Sequence, residues 1–163
     1  MSVLYSVMPI DEEHWQQWNE YLAQFGARIP IGVASRYPLP SEIRQVLDEM
    51  TDYTKKYFIT EKVWDVDIYE TIFYDEEKHH STGKHASINS IGPALNESSP
   101  LHIYFHSGTE EVNLEIVLRL SVFTGPLILM ADDDIVPLIV ADRQQLADLV
   151  NQWEKQRQIA DSL

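Results

Sequence analysis

The sequence contains no cysteine. That absence excludes disulfides, thiolate nucleophiles and thiolate metal ligands together, and it fits a reducing compartment. Basic residues are scarce: 12 Lys and Arg stand against 26 Asp and Glu, for a formal charge of −14. Such a surplus repels phosphate backbones and anionic bilayers, so neither nucleic acid nor a membrane is an expected partner. No uninterrupted apolar run reaches the roughly 18 residues that a membrane-spanning helix needs. Met1-Ser2-Val3-Leu4-Tyr5-Ser6-Val7-Met8-Pro9 lacks a basic start, a long apolar stretch and a cleavage site, so no secretory signal is expected. A cytoplasmic location follows as the expectation. Also missing are a G-x-G-x-x-G loop, a P-loop, H-E-x-x-H and a G-x-S-x-G elbow, which withdraws support from the common nucleotide-binding and hydrolase classes.

What remains is an ordinary globular composition. Of 163 residues, 44% are hydrophobic and 23% charged, enough to build one core without staples. A single domain over 1–163 is expected, with no repeat, low-complexity tract or linker to divide it.

The chain alternates between strand and helix patterns. Val3 to Met8 is rich in β-formers and stops at Pro9. A helix then begins at Asp11, with acid in its first turn and Trp15, Trp18, Leu22 and Phe25 on one face, ending at Gly26. Ile29 to Tyr37 reads as an edge strand or an ordered loop. Ser41-Glu42 opens a second helix carrying Ile43, Val46, Leu47, Met50 and Tyr57 inward. From Val63 to Tyr74 the period changes to two, with Trp64, Val66, Ile68, Ile72 and Tyr74 facing one way and Asp65, Asp67 and Tyr69 the other.

An exposed connection with His79 and His80 leads to a strand over Lys84 to Ile91, and Leu101 to His106 alternates as the next one. Ser107 and Glu110 stand at capping-box spacing before a nearly all-apolar helix that Thr124-Gly125-Pro126 terminates. Leu127 to Met130 and Ile135 to Val140 read as adjacent strands joined by an acidic turn. Asp142 and Gln145 again have capping-box spacing, before a last helix with Leu146, Leu149, Val150 and Trp153 inward and a frayed tail past Gln156. The sum is an α+β fold: a mixed, largely antiparallel sheet with a central meander, packed by about four helices.

Side chains two apart share a face of a strand, so His102, Tyr104 and His106 project together. His85, Ser87 and Asn89 can join them across the meander, as can Asp65 and Asp67. His102 and His106 alone would lie about 13 Å apart along a strand, too far for one metal without help from a neighbour. An alternative reading therefore makes His85, His102 and His106, with Asp67, a metal-assisted or acid–base site. Asp132-Asp133-Asp134 lacks the glycine and spacing of a Ca²⁺ loop and reads as a solvated turn. Glu70 falls on the apolar side of its strand, where pairing or capping is the simpler role.

From Glu97 to Asp142 eight acids, Glu110, Glu111 and the aspartate triplet among them, face the single base Arg119, which concentrates a negative field on one side. No cofactor is implied. The expected function is a non-enzymatic binding module for a protein with a basic surface, with a homodimer as a further alternative. In general composition the chain is similar to the small, acidic, cysteine-free α+β proteins that serve bacteria as immunity or inhibitor partners of secreted toxins.

Overall fold

The computed structural model describes residues 3–30, 32–60, 64–70, 84–91, 98–134 and 136–163. Four helices and one seven-stranded sheet make up the α+β fold. In chain order these are β1 (Leu4–Pro9), α1 (Trp15–Ala23), α2 (Pro40–Glu49), β2 (Tyr53–Ile59), β3 (Trp64–Glu70), β4 (His85–Ile91), β5 (His102–Gly108), α3 (Glu110–Thr124), β6 (Leu127–Ala131), β7 (Leu138–Val140) and α4 (Leu146–Asp161). Strand order is β2-β3-β4-β5-β1-β6-β7, and every recorded pairing is antiparallel.

Alternation along the strands sends Trp64, Val66, Ile68, Ile88, Phe105, Val7 and Leu129 into the main core, beneath α2, α3 and α4. Helix α3 sits at its centre, with Val112, Leu114, Ile116, Val117 and Leu120 buried. Each such side chain contributes about 1.5–3 kcal/mol of burial. The helix ends where expected, at Gly125, whose φ of 85° and N–H bond to the Ser121 carbonyl make the C-terminal cap.

On the other side of the sheet a smaller core joins Leu22 of α1 and Ile29 to Ile10, Ile128 and Ile139. It covers only the β1-β6-β7 end. Tyr21 of α1 and Phe25 just after it pack instead on the main core, and the three residues of β7 are all buried.

Four expectations are corrected. The second helix stops at Glu49, and Tyr53–Ile59 forms β2 rather than carrying Tyr57 inward on a helix. Helix α2 is instead held at its start by Glu42, whose Oε1 accepts the Leu39 N–H at 2.8 Å. Ser107 lies within β5, and Thr109 is the residue flanking α3. The Thr109 hydroxyl accepts the His85 N–H at 3.2 Å and so makes no helix cap. Likewise α4 begins at Leu146 and runs to Asp161, with Gln156 buried against the Pro137 carbonyl rather than frayed. Val150, expected inward, is 38% exposed. Ile72, Tyr74, His79 and His80 lie outside the described residues.

Candidate binding face

The register of the meander decides what the outer face of β2–β5 presents. Phe58 stands opposite Asp65, Asp65 opposite Asn89, Asn89 opposite Tyr104, and Tyr104 opposite Ser6, so one transverse row crosses five strands. Within it Asn89 Nδ2 donates to Asp65 Oδ1 at 2.9 Å. In the next row Asp67 lies between Lys56 and Ser87. His85 is opposite Tyr69 and stacks on it with the rings 19° from parallel. The parity expected for Asp65, Asp67, His85, His102, Tyr104 and His106 thus places all six on one face.

They are brought to one face but not to one point. His102 sits opposite Ile91 at one end of β5 and tilts against Tyr37, ring centres 4.9 Å apart. His106 is opposite Leu4 toward the other end. His85 lies beyond Gly108, because two steps of β4 match three of β5 at a bulge between Ala86 and Ile88. Among the described residues the three histidines do not form a metal-sized cluster. The group that does is Asp11, Glu13 and His14, whose ligand atoms lie within 4.8 Å of one another. All three are exposed, and the Asp11 carboxylate is already engaged by the Glu13 N–H at 3.0 Å and His14 Nδ1 at 3.1 Å. Sequence reading passed over this contiguous D-E-E-H stretch because it also has the composition of a helix start.

The acidic window divides in two. Glu110 and Asp134 are structural: Arg157 forks onto both Glu110 oxygens and also holds Asp134 Oδ2 through Nε. Its guanidinium stacks 4.1 Å over Trp153, whose Nε1 donates to the Val136 carbonyl at 2.8 Å. Burial works against the charge of Arg157, but the two carboxylates outweigh it and raise its pKa above the ordinary value. Asp132 closes the turn by accepting the Leu4 N–H at 3.0 Å. Asp133 and Glu111 are exposed, and Glu111 meets a half-exposed Lys84 at 3.5 Å, a contact of little energy.

The aspartate turn and Glu110 also surround Tyr5, whose hydroxyl is pushed up to about 12 by burial first and by Glu110 and Asp133 next. Glu70 accepts the Lys84 N–H at 3.4 Å, a strand-end role. No helix among the described residues is long and apolar enough to cross a membrane.

The outer face mixes acid with apolar surface. Ile91 is 59% exposed beside His102 and Tyr104. No protein-family model, curated protein or solved structure matches this chain.

Proposed function

We propose that this chain is a non-enzymatic binding module that presents the outer face of β2–β5 to a protein with a basic surface. One observation carries the reading: helices cover one side of the sheet, while on the other side, among the described residues, the second core reaches only the β1-β6-β7 end. Sheets of this kind commonly leave one face to solvent, but a merely solvated face has little use for an exposed Ile91 beside Tyr104, in a face that also carries Asp65 and Asp67. Tyr104 and Ile91 would supply the apolar centre of the contact, and Asp65 and Asp67 the charge that selects a basic partner. The exposed Asp133 and Glu111 lie at the His85–His106 end, where their field speeds encounter. An immunity or inhibitor protein of the bacterial cytoplasm, masking a cationic toxin, is the function of this type that suits the charge best.

The test is affinity capture from extract of the native cell with three baits: the wild type, Asp65→Asn/Asp67→Asn/Tyr104→Ala, and the charge-matched control Glu12→Gln/Glu13→Gln. The expected result is a basic protein retained by the wild type and the control and lost from the face variant. Equal loss from both variants would reduce the effect to net charge and overturn the reading.

A further inference from the structure

The two edges of the sheet are finished differently. β7 is three residues long and wholly buried, packed against α3 and α4. β2 is seven residues long, has no strand on its far side among the described residues, and exposes Tyr57, Phe58 and Ile59 by 39%, 53% and 48%. A long edge with a bare apolar end is a template for strand addition. We infer that β2 pairs antiparallel with β2 of a second copy of this chain, about a two-fold axis through Tyr57, to give one continuous sheet with α2, α3 and α4 of both copies on the same side.

The sequence of β2 selects both the occupant and the register. Keeping α2, α3 and α4 of the two copies on one side requires opposed residues to share a face, so the axis must pass through a residue pair. Centring on Lys56 would place two ammonium groups directly opposite each other, which is unfavourable. Centring on Phe58 would leave only the last three residues of the strand paired. About Tyr57, the strand Lys55-Lys56-Tyr57-Phe58-Ile59 becomes self-complementary: Lys56 faces Phe58 of the second copy on the outer side, and Lys55 faces Ile59 on the inner side.

Like charges are thereby staggered, and each lysine stem lies along an apolar side chain. Lys56 and Phe58 each have an aspartate as their own cross-strand neighbour, Asp67 and Asp65 respectively, so each outer row across the junction flanks one lysine and one phenylalanine with an aspartate at either end. Tyr57 meets Tyr57, aromatic on aromatic. The long-range term opposes association, because each copy carries −14. Dimer formation is therefore expected to strengthen with salt, the reverse of a contact held by opposite charges.

A cysteine-free chain makes the register directly readable. Residues opposed in an antiparallel pair have Cα atoms about 4.5–5.5 Å apart, within the roughly 4.4–6.8 Å that a disulfide spans. Tyr57→Cys should therefore cross-link to itself on mild oxidation. Ile59→Cys should not, since its two copies would lie about 13 Å apart. On the wild type, sedimentation equilibrium into the hundred-micromolar range should show the mass rising from 18.9 kDa toward twice that value. The rise should be greater at about 0.5 M salt than at low salt. A monomer at every concentration, cross-linking equal at the two positions, or association without a Tyr57→Cys cross-link would each overturn the inference. Circular dichroism of both variants verifies that they fold.

Discussion

The guanidinium of Arg157 on α4 holds both carboxylate oxygens of Glu110 at the start of α3, Nη1 to Oε1 at 2.8 Å and Nη2 to Oε2 at 2.9 Å. The two residues are 47 apart in sequence, and the same guanidinium also reaches Asp134 in the β6–β7 turn. One side chain thus ties together two helices and a turn. Arg157→Ala leaves two partly buried carboxylates facing each other and should cost about 1–3 kcal/mol in urea denaturation. Arg157→Lys should recover less than half of that, because an ammonium cannot bond both oxygens in parallel.

Ser90 clamps β3 to β4 from inside the core. Its hydroxyl accepts the Trp64 N–H at 3.1 Å and donates to the Trp64 carbonyl at 2.6 Å, with 5% of the residue exposed. Ser90→Ala leaves two buried backbone groups unpaired and should lower stability by about 1–3 kcal/mol. Ser87→Ala, on the open face of the same strand, should be nearly neutral in the same measurement.

Acid should loosen the start of α2. The Arg36 guanidinium bonded to Glu42, together with the Leu39 N–H, holds that carboxyl below its ordinary value of 4.5, although partial burial opposes the shift. A depressed folded pKa stabilises above the unfolded value, and the contribution is lost as pH falls through the folded one. Glu42→Gln should therefore lower stability at neutral pH and flatten the decline below about pH 4.5. Thermal melts of both proteins between neutral and acid pH provide the comparison.

Alkali should act through tyrosines. Burial, then nearby carboxylates, push Tyr5 and Tyr53 up from 10.0 to about 12. A raised folded pKa gives stability that is present below the unfolded value and lost as pH climbs through the folded one. Ultraviolet titration should show a late-ionising group of tyrosines that includes Tyr5 and Tyr53, titrating together with unfolding, and Tyr53→Phe should shrink that late phase by one.

The alternating strands were readable wherever one face is buried and the other wet. Trp64-Asp65-Val66-Asp67 and His102-Ile103-Tyr104-Phe105 announce their period, and through it the shared face of the candidate residues. β2 was not readable because Tyr53-Thr54-Lys55-Lys56 is half-buried on both sides, so no alternation separates it from the helix before it. Both misplaced helix starts have one cause. Of the residues at capping spacing, Glu110 serves Arg157 instead, while Thr109 serves β4 and, before α4, it is Gln144 whose Oε1 takes the Ala141 N–H at 2.7 Å. The acidic window was visible as charge, but its division into structural and free carboxylates depends on Arg157, which lies outside that window in sequence.

The most direct test of the binding face is photo-crosslinking in the native cell, with a benzophenone amino acid placed at Tyr104 and, as control, at Val122, which is 64% exposed on α3. One covalent adduct with a basic protein at position 104, absent at 122, is the expected result. No adduct at 104, or the same adducts at both positions, would contradict the assignment of the outer face as the contact surface.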